Sequence, residues 1–280
     1  MTVGTNAGQP RGVLRPALAQ GGFEHLRCLP SAALAGLVEH YWYVAWDLRG
    51  LPPQRQETLP HPNVQLVVER GGARVYGVHT ERFIRQLEGR DRVFGVKFKA
   101  GGFHPFFGAP VSGIADRSLA AQDVFGAAAT AFAEEIVGGA EMEQRVAGAE
   151  RFLLARLLAR AAPPDANVQR AGALVAAIAG DLGLTSVQRL TAASGLDKRS
   201  LQRLFQKYVG IGPKWVIQRY RLHEAVAQVQ AGAPVNWTEL ALALGYFDQT
   251  HFIRDFRKLV GQSPAEYARS LAPAVQASGN

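Results

Sequence analysis

Seven positions in the last third of this chain recur at one fixed offset. Asp197, Arg203, Phe205, Lys207, Gly210 and Pro213 return 51 residues later as Asp248, Arg254, Phe256, Lys258, Gly261 and Pro264, and Leu201 is answered by Phe252. A repeat of this length marks one supersecondary unit used twice. A solenoid stacks roughly three or more such units to bury its core, so two copies must serve as a pair.

The residues of the first copy predict a helix opening at Asp197, whose carboxylate suits an N-cap. Leu201, Leu204, Phe205 and Tyr208 fall on one stripe. At about 100° per residue, Arg199, Gln202, Arg203 and Gln206 gather on the opposite face. Their planar, forked donors and acceptors are the types that read base edges in the major groove. Gly210 suits a left-handed C-cap, and Pro213 the first turn of the next helix. Ahead of this unit, Ser186 to Ser194 reads as a short helix closed by Gly195. Helix, glycine turn, helix is the helix-turn-helix pattern. The second copy repeats it. Trp237 to Leu244 precedes Gly245, and Asp248 opens a helix with Phe252, Phe256 and Leu259 inward. Thr250, Arg254 and Arg257 face outward, with Gln249 and His251 on the flanks. Residues 213–231 lack an internal glycine or proline and read as one connecting helix. At ~1.5 Å per residue it spans roughly 28 Å, which makes recognition helices one DNA turn, about 34 Å, apart feasible. Amphipathic helices with merely solvated charged faces would account for one copy, but not for the matched cap, arginine, phenylalanine, lysine, glycine and proline of two.

These residues resemble the AraC/XylS family of bacterial transcription regulators from about Val168 to Leu271. The resemblance rests on the run Ser200 to Pro213, on Arg221-Leu-His-Glu-Ala in the connecting helix, and above all on the stretch Leu240 to Tyr267. It implies two helix-turn-helix subdomains on a linker helix, with double-stranded DNA and RNA polymerase as partners. By position, Arg199, Gln202 and Arg203 match base-facing sites of the first recognition helix, and Gln249, Thr250 and Arg254 those of the second. Lys198, Lys207, Arg257 and Lys258 are placed to neutralise phosphates or flank them. Two positions depart from the family pattern: Thr191, where alanine is common, and Ile253, where a small polar residue is usual.

A chain of 280 residues with 48% hydrophobic residues is expected to form two domains. The formal net charge is +8, and residues 181–270 carry 12 Lys/Arg against 7 Asp/Glu. That basic excess fits a nucleic-acid footprint. Cys28 is the only cysteine, which excludes an intramolecular disulfide and a cysteine-built zinc site. No stretch approaches the roughly 18 apolar residues of a membrane span, and the start lacks a signal-peptide hydrophobic region. The expected place is the cytoplasm, at the nucleoid. The expected division is a loose arm over 1–20, a regulatory domain over 21–161, a linker over 162–167, the DNA-binding domain over 168–272 and a loose tail over 273–280.

The fold class expected is α+β, with a β-rich barrel or sandwich and flanking helices ahead of the all-α domain. Tyr41–Trp46, Asn63–Glu69, Ala73–Val78 and Arg92–Phe98 carry strand-like alternation or β-branched runs. Turn signals separate them, as in a barrel or sandwich. Pro30–His40, Asp123–Val137 and Glu141–Ala161 read as helices. Val38-Glu-His-Tyr-Trp-Tyr, the run Leu59–Val68, Gly77-Val-His-Thr and the run Gly95–Phe103 resemble an uncharacterised N-terminal domain found on many AraC-like regulators. The family's design implies a sensor or dimerisation module, leaving a small-molecule effector, a partner or a second copy as alternatives.

Five histidines, His25, His40, His61, His79 and His104, invite a metal, yet no His-x-His pair occurs, and metal sites need several converging ligands. No metal or other cofactor is expected. No nucleophile elbow, phosphate loop or paired carboxylate motif is evident, so no catalytic residue is assigned. Ligand pockets are mostly apolar with a few converging polar groups; Trp42, His61, Asn63 and His79 are the candidates for one. The aromatic run Tyr41, Trp42, Tyr43 and Trp46 fits a pocket lining or a plain core equally.

Overall fold

A computed structural model of the chain describes residues 12–14, 22–160, 163–232 and 235–271. The first half is built on an antiparallel sheet. In spatial order its strands are β1 (Gly22–Cys28), β2 (Val38–Leu48), β7 (Gly89–Phe98), β4 (Gln65–Glu69), β5 (Gly72–Tyr76) and β8 (Ser118–Ala120). A separate ribbon pairs β3 (Gln54–Thr58) with β6 (Phe83–Leu87). The described strands form an open sheet and a ribbon rather than a closed barrel, because β1 and β8 end the sheet unpaired with each other.

Both faces of the sheet are covered, and period-2 alternation assigns each side chain. Tyr41, Tyr43, Phe94, Val96 and Phe98 face a core shared with Phe103 and with Phe106, Phe125, Phe132 and Leu153 of the following helices. These are α1 (His104–Phe107), α2 (Ala121–Phe125), α3 (Ala128–Gly138) and α4 (Met142–Arg160). Trp46, Leu48, Val67 and Val93 face the other way, toward Leu87 of the ribbon. Two helices expected from sequence differ. Pro30–His40 holds only a run of turns, after which β2 starts at Val38. Asp123–Val137 is split where Gly126, at φ 70°, ends α2.

The helical half has two cores on one shared helix, α8 (Pro213–Gln230). Val216 and Ile217 join Leu190, Leu201, Phe205 and Val175 in the first. Leu222, Val226 and Val229 join Leu240, Phe252, Phe256 and Tyr267 in the second. The first is enclosed by α5 (Ala166–Gly180), α6 (Val187–Ser194) and α7 (Lys198–Leu204), which runs on as a π-helical turn over 205–209. The second is enclosed by α9 (Trp237–Ala243), α10 (Gln249–Val260) and α11 (Pro264–Leu271). Helix α5 already begins within the expected linker.

Of the expected arm, Gly12–Leu14 is described, and it is docked. Leu14 is 2% exposed in the second helical core. Its carbonyl accepts from Tyr267 Oη at 2.8 Å, and Gln230 Nε2 donates to Val13 O at 2.8 Å. The rest of the arm and the expected tail lie outside the described residues.

Candidate nucleic-acid interface

Each recognition helix is framed by the residues that sequence singled out. The Asp197 carboxylate accepts from the backbone N–H of Arg199 and Ser200 at 2.9 and 3.0 Å. The Asp248 carboxylate accepts from His251 N at 2.8 Å. Such caps satisfy helix-end donors that would otherwise lack a partner. Hydrogen bonds from Ser200 side chain and backbone hold the Asp197 carboxyl below its usual range. The His251 backbone N–H does the same for Asp248. Gly210 and Gly261 close the helices in the left-handed region, at φ 98° and 90°.

Between cap and glycine, the apolar stripe is buried and the polar face is open. Lys198, Arg199, Gln202, Arg203 and Lys207 are exposed along the first helix, as are Thr250, His251, Arg254, Arg257 and Lys258 along the second. Among the described residues the guanidinium groups of Arg199, Arg203 and Arg254 have no hydrogen-bond or ion-pair partner. An exposed guanidinium without an internal partner keeps its full set of donors for an outside acceptor. Thr250, Ile253, Arg254, Arg257 and Lys258 lie along one open stripe of α10.

Other members of the set are committed differently. Arg257 Nη2 donates to Glu266 Oε2 at 3.1 Å. That carboxyl is held at a pKa of about 2, chiefly by the Ser263 hydroxyl and backbone N–H, with Arg257 adding to them. Gln249 Oε1 accepts from the Thr238 hydroxyl at 2.9 Å. His251 Nδ1 lies 2.9 Å from Asp248 Oδ2. Gln206 is half-buried rather than outward: it sits in the π-helical turn, where more residues per turn shift it off the 100° spacing. Lys207 Nζ stands over the Tyr208 ring at 5.1 Å. One exposed residue was missed by sequence reasoning. Phe247, directly before the Asp248 cap, is 89% exposed, and only its place next to the cap could have signalled it.

The four pocket candidates of the N-terminal half are drawn into internal contacts. Trp42 lies across Gly95 and donates from Nε1 to Gln65 Oε1 at 3.0 Å. Asn63 is buried and donates to Phe98 O at 2.5 Å and Glu39 Oε2 at 3.1 Å. His61 meets His223 of α8, Nδ1 to Nε2, at 2.9 Å. His79 sits between the Tyr76 and Phe83 rings. Asn63 belongs to a charged group around the bulge at Glu39, where Lys97 Nζ pairs with Glu39 Oε1 at 2.9 Å. Burial pushes the Glu39 carboxyl up, but hydrogen bonds from His40 and Lys97 outweigh it and hold the pKa at about 2.

Two family models match the chain. Residues 190–270 match a Helix-turn-helix domain, and residues 26–120 match a Domain of unknown function (DUF6597). The chain therefore joins a DUF6597 domain to a helix-turn-helix domain of the AraC type. The HTH-type transcriptional regulator MtrA of Neisseria gonorrhoeae is 26% identical over 84 residues, 30% of this chain and 28% of that protein. The Putative HTH-type transcriptional regulator YkgA of Escherichia coli (strain K12) is 33% identical over 82 residues, 29% of this chain and 34% of that protein. The chain thus spans about a third or less of these relatives. Among solved structures, ToxT from Vibrio cholerae aligns with 91% of this chain and 100% of its own, at 9% identity and a TM-score of 0.37, a likeness too slight to carry an argument. Among the described residues no helix is long and apolar enough to cross a membrane.

Proposed function

We propose that this protein is a sequence-specific DNA-binding transcription regulator that reads two adjacent major-groove segments. One observation carries the reading. Arg203 and Arg254 occupy equivalent places on two capped helices, both are exposed, and neither guanidinium has a partner among the described residues. An arginine so presented suits a bidentate contact with guanine. Lys198, Lys207 and Lys258 stand beside them for phosphates, which fix register but carry no sequence information. In this reading α8 spaces the two motifs, and the N-terminal domain is the regulatory part, open to an effector, a partner or a second copy.

The test is footprinting on a duplex selected from a random library with the full chain. Two protected segments about one helical turn apart, each lost with its own arginine in Arg203→Ala and Arg254→Ala, are expected. Uniform protection of any duplex would instead mark an architectural DNA binder. No protection, with chemistry on the DNA, would mark a modifying enzyme that carries this domain as a tail.

A further inference from the structure

Gly210 and Gly261 are equivalent residues of the repeat, each ending a recognition helix, and the N-terminal domain abuts both. A Cβ at Gly210 would lie 2.9 Å from Val111 Cγ1, and one at Gly261 would lie 2.3 Å from Arg82 Nη1. Arg82 does more than touch. Its Nη1 donates to Val260 O, the last carbonyl of α10, at 2.5 Å. A cation there also suits the negative end of the helix dipole. The same Nη1 pairs with Glu57 Oε2 at 2.9 Å, and Glu57, 6% exposed, is held from its other oxygen by Arg55 at 2.9 Å. Arg82 is thus fixed on both sides.

A third contact lies between these two. Arg219, midway along α8 and 2% exposed, donates to Thr80 O, with its guanidinium 4.4 Å over the Trp215 ring. Thr80 and Arg82 belong to one loop, and Val111 opens the turn over 111–114 that is locked to it. Asp116 N donates to Val78 O at 2.9 Å, Gly77 N to Arg117 O at 3.0 Å, and Thr80 N to Asp116 Oδ1 at 2.7 Å. The approach is so close that a Cβ at Gly77 would come within 1.8 Å of Ile114 O. The two segments therefore form one plate, which meets both recognition helices at their C-termini and the connecting helix at its middle.

We infer that this plate is a spacing clamp, in which Arg82 and Val111 are positioning residues that set the separation and angle of the two recognition helices. The physical need is plain. The two motifs have separate cores joined by α8, with Thr185 against Gly245. Two linked binding modules gain avidity only when their geometry allows both to engage at once. Holding equivalent ends of both helices from one rigid body fixes that geometry. It also makes the clamp the place where an event in the N-terminal domain reaches the DNA-reading face. The clamp's role in binding rests on the two-segment reading above; its mechanical role does not.

The test separates them. Spin labels at Ala192→Cys and Ala243→Cys, exposed sites on α6 and α9, in a Cys28→Ser background, report the distance between the motifs without DNA. One narrow distribution is expected in the full chain. Arg82→Ala with Val111→Ala should broaden it, and Arg82→Lys alone should keep it narrow. On a selected two-segment duplex, moving one segment by half a turn should cost the wild-type chain about tenfold or more in affinity. The clamp variant should lose that dependence while binding each segment alone as well as wild type. An unchanged distance distribution in a folded clamp variant would overturn the clamp. So would equal weakening on separate segments, which would mark a general folding defect. A wild-type chain that selects no duplex would overturn the DNA reading, and the distance measurement would still decide the clamp.

Discussion

The indole of Trp42 lies flat across Gly95, so close that a Cβ added at Gly95 would come within 2.1 Å of the ring. Strand β7 thus leaves a gap that β2 fills, and the Trp42 Nε1–Gln65 bond, at 3.0 Å, ties the ring to β4 on the far side. Gly95→Ala should force the indole or the backbone aside, at about 1–3 kcal/mol, the ordinary cost of overpacking a filled core. Urea denaturation checks this. A variant within a few tenths of wild type would show that the ring is free to move.

Arg203→Ala should lose about 1–3 kcal/mol on a selected duplex and relax discrimination at one base position, as removal of a bidentate contact does. Affinity for random DNA should barely change, and melting should be unaffected, since the side chain is exposed and touches no core. Titration against both duplexes at one salt concentration separates the cases. Equal losses would reassign Arg203 to a phosphate.

Leu14→Ala should destabilise the second helical core by about 2–5 kcal/mol, the range for a buried leucine truncated to alanine. Leu14 sits at 2% exposure among Leu59, Leu222 and Phe256. The tryptophan nearest that core is Trp237, so fluorescence on denaturation reports it. An unchanged midpoint would mean that the segment Gly12–Leu14 contributes nothing to this core.

Burial lowers the pKa values of His25, His40, His79 and His104 below the ordinary 6.5. Nearby cations add to the effect, with Arg27 beside His25 and His40, and Lys207 beside His104. A lowered histidine stays neutral in the folded chain while the unfolded chain takes up the proton. Stability from these groups is complete above pH 6.5 and falls as the pH drops below it. Glu39 acts lower, between its ordinary 4.5 and about 2. Unfolding at pH 6, followed by calorimetry in two buffers of different ionisation enthalpy, should therefore show net proton uptake. No uptake would place these imidazoles in water.

The helix-turn-helix half was largely legible because its signals are local. A cap such as Asp197 binds N–H groups two and three residues ahead, and a left-handed glycine such as Gly210 ends its own helix. The repeat then doubled each signal, so the helices around Arg203 and Arg254 followed from spacing. Gln206 was misplaced because a π-helical turn changes that spacing without a mark in composition.

The N-terminal half was legible as four of its strands and as the helix over Glu141–Ala161, which is α4. β1, β3, β6 and β8 went unseen, since Gln54–Thr58 is polar and Gly22–Cys28 and Ser118–Ala120 are edge segments, and their pairing depends on partners elsewhere in the chain. For the same reason Trp42, His61, Asn63 and His79 read as one polar-aromatic set but have separate partners in Gln65, His223, Phe98 and the Tyr76 ring.

By itself the sequence determined the pair of capped helices, their exposed arginines and the helix that joins them, since each rests on contacts within a few residues. The tertiary structure alone decided that Leu14 enters the second core, that Arg82 reaches Val260 and that Val111 meets Gly210. Those contacts join residues between 99 and 253 positions apart. No periodicity encodes a contact at that distance. It exists only once two independently patterned surfaces are packed together.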